Sequence, residues 1–175
     1  MSHIDLDLNP IQHITVDAIG KPGERVFYLQ AHTGDQLVTL LVEKFQVQML
    51  ALGVEQFMAD LAQKFPNLSQ AFSEFEEAHM KITPPVDPLF RVGELSLGYD
   101  IDTDLLVLVA HQEESGAEDT ETLSVVRFWC TRSQIWALSH WAIELAGRGR
   151  PVWPSSGEPI LPAGQFSPKN NGHKH

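Results

Sequence analysis

Residues 27–32 read FYLQAH and residues 106–111 read LVLVAH, two strings of strand-forming residues that each end in Ala-His. In both cases another strand-like segment precedes the string, and a third strand-like segment and a helical segment follow it. The helical segments also correspond, since residues 44–50 read KFQVQML and residues 132–138 read RSQIWAL. The order β-β-β-α therefore occurs twice. It predicts an α+β fold of two pseudo-repeats, with antiparallel sheets packed against two main helices.

Apolar residues that alternate with polar ones predict the strands, and apolar residues three and four positions apart predict the helices. Strands are expected at residues 13–18, 25–32, 37–42, 90–99, 105–112 and 123–130. The two main helices end near residues 64 and 146, and an additional acidic helix is expected over residues 68–79. A single domain is thus predicted over residues 10–150, with repeats at about 13–64 and 90–147. Residues 151–175 contain many prolines and glycines and form a predicted tail that docks on the domain.

Net charge and cysteine content exclude several classes of protein. The 175 residues carry a net charge of −11, of which residues 55–121 contribute −12 and residues 122–175 contribute +4. An acidic chain is a poor general nucleic-acid binder. No apolar run approaches the roughly 20 residues of a membrane span, and no signal peptide is visible. With one cysteine, Cys130, no intrachain disulfide can form, so a soluble cytoplasmic protein is expected.

The pseudo-symmetry predicts a ligand-binding groove between the two repeats. Polar and basic side chains that could line it are Tyr28, Gln30, His32, Lys44, Arg91, Arg127, Arg132 and the tail residues Lys169 and Asn170. Lys44 and Arg132 begin the two helices, where free backbone N–H groups could help to hold an anion such as phosphate. A purely structural alternative is open for the second helix, because Thr131 and Gln134 match a capping box.

Two histidines are the candidates for acid–base chemistry. His32 and His111 end equivalent strands, so they could flank one site as acid and base, or as metal ligands. They could equally be unrelated strand-end residues, since no carboxylate stands at a fixed helical spacing from either. The chain lacks phosphate-loop, dinucleotide-binding, zinc-protease and serine-hydrolase motifs, and we predict no cofactor.

Aromatic residues concentrate in the C-terminal third. Trp129, Trp136 and Trp141 lie close together in the sequence, and Trp153 follows in the tail. Core packing explains such a cluster, but an aromatic pocket or the seam of a homodimer would also use it.

Several strings resemble one bacterial family, the domain-of-unknown-function family numbered 3090, which is seen mostly in actinobacteria. They are GKPGERVFYLQA at residues 20–31, VEKFQV at 42–47, FRVG at 90–93 and GRGRP at 147–151. The resemblance carries no established activity. Similar proteins are often encoded near a histidine-phosphatase-like protein and a lipid-kinase-like protein, which implies a partner rather than a reaction.

Many members of that family carry a small metal knuckle in the tail, with two cysteines followed by a histidine and another cysteine. The corresponding positions here hold Trp153, Ser156, Gln165 and Ser167, none of which is a good zinc ligand. The resemblance therefore implies a tail that is the relic of a zinc knuckle and holds no metal.

Three functional hypotheses follow. The first is a non-enzymatic cytoplasmic binding or interaction module for an unidentified protein partner or an anionic small molecule. The second is a small hydrolase or transferase acting on a phosphorylated or acidic metabolite, with His32 or His111 as acid or base. The third is a single-stranded nucleic-acid binder, which the net charge disfavours and the basic C-terminal third favours.

Overall fold

The computed structural model describes residues 3–114, 116 and 123–148. In these ranges the chain forms seven strands, two α-helices and one 3-10 helix. The strands are β1 (Asp5–Leu8), β2 (His13–Ile19), β3 (Val26–Thr33), β4 (Gln36–Val42), β5 (Val92–Asp100), β6 (Leu105–Gln112) and β7 (Val125–Thr131). The helices are α1 (Lys44–Lys64) and α2 (Arg132–Gly147), and the 3-10 helix spans Glu77–Met80.

The strands form two sheets, which confirms the α+β class. One sheet has the order β1-β7-β6-β5, and the other has the order β2-β3-β4. All neighbours are antiparallel except β1, which runs parallel to β7. The order β-β-β-α is present twice, as β2-β3-β4-α1 and β5-β6-β7-α2.

The strands pair in the same register in the two β-β-β-α units, β2-β3-β4-α1 and β5-β6-β7-α2. His32 of β3 lies opposite His13 and Leu37, and His111 of β6 lies opposite Glu94 and Val125. His32 and His111 are therefore equivalent positions, as the sequence predicts. The pseudo-repeats are confirmed as architecture, and their origin by duplication stays a prediction.

The two sheets meet at two corners and enclose one apolar core. At one corner the backbone N–H of Ile11 donates to the carbonyl of Trp129 over 2.9 Å, and at the other the N–H of Leu41 donates to the carbonyl of Phe90 over 3.0 Å. The alternating inward positions of the strands are buried between the sheets: Leu29, Ala31, Leu40, Leu106, Leu108, Ala110, Val126 and Phe128. Because successive side chains of a strand point to opposite faces of the sheet, every second residue is buried, and these residues form the core on which the helices pack.

Each helix packs on the first strand of the opposite unit: α1 contacts β5, and α2 contacts β2. Apolar stripes that include Val47 and Val54 on α1, and Ile135 and Leu138 on α2, are buried in the core. The two helices also contact each other. None of the helices in the described ranges is long and apolar enough to cross a membrane.

Two sequence predictions differ from the structure. The acidic helix over residues 68–79 is wrong, because residues 65–91 form a connector whose helical part is the 3-10 turn at Glu77–Met80. Contacts with distant elements replace the helix: the N–H of Phe72 donates to Ser133 Oγ, and Phe75 packs edge-on against Trp141. A short isolated helix has too little intrinsic stability to compete with such contacts. Strand β1, before residue 10, was not expected.

Candidate functional site

Arg132, a predicted anion ligand, is committed to a structural network. Its Nε and Nη2 atoms donate to the two carboxylate oxygens of Asp104 over 2.7 and 2.9 Å, and its Nη1 donates to the carbonyl of Ser69 over 2.7 Å. The hydroxyl of Tyr99 also donates to Asp104 over 2.8 Å. Arg132 lowers the pKa of the Asp104 carboxyl, and Asp104 raises the pKa of Arg132. The network ties the start of α2 to the β5–β6 turn.

The other predicted cations do not converge on one groove. Arg127 of β7 donates to Asp5 of β1 over 2.8 Å. Arg91 precedes β5 and pairs with Glu43, and its Nε lies 3.6 Å from Glu113. Lys44 is the first residue of α1. The predicted tail residues Lys169 and Asn170 lie outside the described residues. So do Trp153, Ser156, Gln165 and Ser167, the positions at which the resemblance implies the relic of a zinc knuckle.

The outer face of the three-stranded sheet carries Tyr28, Gln30 and His32. Gln30 is buried because the connector crosses over it: its amide oxygen accepts the N–H of Thr83 over 2.7 Å, and its amide nitrogen donates to the Thr83 carbonyl over 3.0 Å. Tyr28 and His32 are half-buried. Asp17 on the same face accepts the N–H of Ile82 over 3.0 Å. This polar face therefore fixes the connector in place.

The two candidate acid–base histidines lie in different sheets. His32 packs against the ring of His13, with the ring centroids 5.5 Å apart, whereas His111 is exposed on β6. Within the described ranges, neither side chain pairs with a carboxylate. The geometry does not assemble them into one site.

Two equivalent glutamines join each helix start to the opposite unit. The side-chain oxygen of Gln46 accepts the N–H of Glu43, and that of Gln134 accepts the N–H of Thr131. Their amide nitrogens donate outward, from Gln46 to the Val92 carbonyl over 2.9 Å, and from Gln134 to the carbonyls of Ile11 and Gln12 over 3.3 and 3.2 Å. Each glutamine lines one of two equivalent grooves, Gln46 the groove between α1 and β5 and Gln134 the groove between α2 and β2.

The α2–β2 groove holds part of the connector. The remaining cleft has a volume of about 550 Å³, and its walls include Ser133 and Ala137 of α2 and Phe75 of the connector. The ring of Phe75 lies 5.6 Å from that of Trp141, and Thr15 of β2 donates to the Met80 carbonyl over 2.7 Å. An irregular segment of the same chain, with an aromatic side chain turned inward, thus occupies this groove.

The α1–β5 groove is open within the described part of the chain. It has a volume of about 360 Å³, and its walls are largely apolar. They include Phe45 and Met49 of α1, which are 62% and 60% exposed, and Leu95 and Leu97 of β5, which are half-buried. Strand β5 is at the edge of its sheet. Large apolar side chains beside an edge strand are typical of a surface that binds another polypeptide.

Gly53 leaves part of the helix wall of this groove without a side chain. When the two helices are aligned on their equivalent glutamines, Gln46 and Gln134, Gly53 of α1 falls at the position of Trp141 of α2. Trp141 is fully buried, and its Nε1 donates to the Val16 carbonyl over 2.6 Å. A Cβ placed on Gly53 would meet no atom within 4 Å. The α1–β5 groove therefore has free space where its counterpart contains an indole.

A family model described as "Protein of unknown function (DUF3090)" matches residues 6–167. The chain belongs to this family. The match confirms the resemblance seen in the sequence. It begins inside β1 and covers every later element through α2. Comparison with curated proteins and with solved structures finds no match.

Sequence reasoning missed the residues that line the two grooves. Phe45 and Met49 lie four residues apart on the exposed side of α1, away from the buried stripe, and helical periodicity could have identified them. His13 was predicted only as the first residue of a strand. Its Nε2 is buried without a hydrogen-bond partner among the described residues. Only the fold brings the connector, and with it His79, next to His13.

His13 makes stability depend on pH. Burial lowers its pKa below the ordinary value of about 6.5, and repulsion from His32 and His79 acts in the same direction, although a backbone hydrogen bond at His79 opposes it. The unfolded chain then binds more protons, so the free energy of unfolding should fall as pH drops below about 6.5 and level off below the native pKa. Urea titrations between pH 7 and 5 should show this slope in wild type and in the exposed-site control His111→Gln. The slope should be smaller in His13→Gln, and an unchanged slope there would contradict the assignment.

Proposed function

We propose that this protein is a non-enzymatic cytoplasmic interaction module whose α1–β5 groove binds an extended apolar segment of a partner protein. The observation that carries the proposal is the equivalence of the two grooves. One of them holds an irregular segment of the chain with Phe75 turned inward, and the other exposes Phe45 and Met49. The same construction therefore suits the same kind of occupant.

The groove favours a particular chemistry in the partner. Its apolar walls favour aliphatic or aromatic side chains, and the space above Gly53 can accept one large ring. As an edge strand, β5 offers backbone groups to a partner that binds in an extended conformation. Specificity would come from side chains that alternate along that partner.

The other two hypotheses receive less support from the described residues. A hydrolase or transferase that uses His32 or His111 would be supported by a carboxylate that pairs with one of them. Among the described residues, the histidines that pair with carboxylates are His79 and His140 instead. A nucleic-acid binder would need available cations, and Arg91, Arg127 and Arg132 are each paired with a carboxylate. The cytoplasmic location rests on the sequence, because Cys130 has no second cysteine with which to form an intrachain disulfide.

The test compares two equally drastic changes at exposed apolar positions. Met49→Glu places a charge in the groove, and Ile143→Glu places one on α2, where the side chain is 53% exposed. Proteins captured from a native lysate by wild type should be retained by Ile143→Glu and lost with Met49→Glu. The captured protein should then be purified and titrated. We expect its Kd to rise at least about tenfold for Met49→Glu alone, the equivalent of about 1.4 kcal/mol. Equal affinity for all three proteins would overturn the proposal.

A further inference from the structure

We propose that the cleft left open in the α2–β2 groove, with a volume of about 550 Å³, binds a small organic cation: a primary ammonium group carried on an aromatic or aliphatic body. The walls of this cleft come from α2, β2 and the connector, so the site is separate from the α1–β5 groove. The inference therefore goes beyond the proposed function and does not depend on it.

The size and the apolar walls of the cleft suit a small molecule. Its volume lies within the range of about 300–1,000 Å³ that is typical of small-molecule sites. The apolar part of the wall includes Phe72 and Phe75 of the connector and Ala137 of α2. Phe72 is 55% exposed, so the body of a ligand would cover a large apolar surface there. Phenylalanine rings also attract an ammonium group that lies within about 6 Å of the ring.

The charge of the cleft favours a cation over an anion. Two glutamates of the connector, Glu74 and Glu76, line the cleft, and none of the described residues that line it is a lysine or an arginine. Within the described ranges Glu74 makes no ion pair, and Glu76 lies 3.5 Å from Nδ1 of His79. Arg148, near the end of α2, pairs with Glu77 instead. The two carboxylates therefore give the wall a negative charge that a bound ammonium group would balance.

The cationic groups beside the cleft do not offset these carboxylates. Burial lowers the pKa of His13, which lines the cleft from β2, so its ring is largely neutral at about pH 7. At the start of α2, Arg132 pairs with Asp104, and the backbone N–H of Gln134 donates to Thr131 Oγ1 over 3.0 Å. The helix start that the sequence predicts as an anion site thus has its arginine and this N–H already engaged, and an anion in the cleft would meet the two carboxylates.

Binding of a probe amine to the full-length protein tests this assignment. The probe is 2-phenylethylammonium, and its counterpart of similar shape and opposite charge is 3-phenylpropionate. Each is titrated at about pH 7.5 into protein labelled with nitrogen-15 and followed by two-dimensional NMR. We expect the cation to shift the backbone amides of Ser133 and Ala137, two residues of α2 that line the cleft, in a saturable way. The anion should bind with a Kd at least about tenfold higher.

A matched pair of double variants locates the site. Glu74→Gln with Glu76→Gln removes both carboxylates from the cleft, and we expect it to raise the Kd of the cation at least about fivefold. Asp87→Asn with Glu114→Gln removes the same charge at two exposed positions outside the cleft and should bind the cation like wild type. All four side chains are exposed, so both double variants should fold.

The outcomes separate this inference from the proposed function. Equal affinity for the cation and the anion would overturn the inference, and so would an absence of saturable shifts at Ser133 and Ala137. A Kd of the cation that is unchanged by Glu74→Gln with Glu76→Gln, or that rises equally in both double variants, would overturn it as well. None of these results bears on the Met49→Glu capture test, which addresses the other groove.

Discussion

Replacing Trp141 by alanine is expected to lower the free energy of unfolding by about 3–5 kcal/mol. The side chain is fully buried, so the change leaves a cavity between α2, β2 and the connector. It also leaves the Val16 carbonyl without its indole donor and removes the ring against which Phe75 and the Arg148 guanidinium pack. This is the largest effect that we expect from a single side chain.

Urea unfolding followed by far-ultraviolet circular dichroism measures this effect independently of tryptophan fluorescence. Trp136→Ala is the matched control, because Trp136 is on the same helix but only half-buried. We expect it to cost less than half as much. Similar costs for the two variants would show that Trp141 does not have the central packing role described above.

Asp104→Asn is expected to cost about 2–3 kcal/mol. The change keeps the size of the side chain and suits the positive φ of 55° at this position, so the loss of charge is what it tests. Arg132 is 9% exposed and would lose its carboxylate partner. Because Asp104 itself is 43% exposed, we expect less than the full penalty for a buried pair.

The pH dependence of this variant provides a second readout. The native pKa of Asp104 lies below its unfolded value, so its contribution is present above about pH 4 and is lost as pH falls through the native pKa. The stability difference between wild type and Asp104→Asn should therefore shrink in acid. Asp102→Ala, an exposed change in the same turn, should stay within about 0.5 kcal/mol of wild type. A difference that persists at low pH would argue against the ion pair as its cause.

Local patterns predicted most of the fold. The strings ending in Ala31-His32 and Ala110-His111 indicated equivalent strands, and the ladders place them in the same register. Helical spacing located α1 and α2 because each buries a single stripe on the core. Strand β1 has four residues and forms only by pairing with β7, more than 100 positions away in the chain. Such pairing leaves little trace in local sequence.

The candidate site was predicted less well, for a physical reason. Lys44, Arg91 and Arg132 were grouped by residue type, but the roles of Arg91 and Arg132 depend on carboxylates from other elements, such as Glu43 and Asp104. The spacing of residues along the sequence does not predict such contacts between different elements. The open groove depends on a missing side chain, because Gly53 stands where the other unit has the indole of Trp141. Its effect is visible only once the fold shows that the two positions are equivalent.

The most direct test of the central claim, that the α1–β5 groove is the binding surface, is the affinity of the purified partner for Gly53→Trp and Gly53→Ala. Both changes enter open space on a helix that glycine destabilises by about 1 kcal/mol relative to alanine, so both proteins should fold. The indole would take up the space above Gly53 that we assign to a large side chain of the partner, whereas the methyl group would leave most of that space free. We predict that Gly53→Ala binds like wild type and that Gly53→Trp raises the Kd at least about tenfold. Wild-type affinity in a folded Gly53→Trp protein would contradict the account.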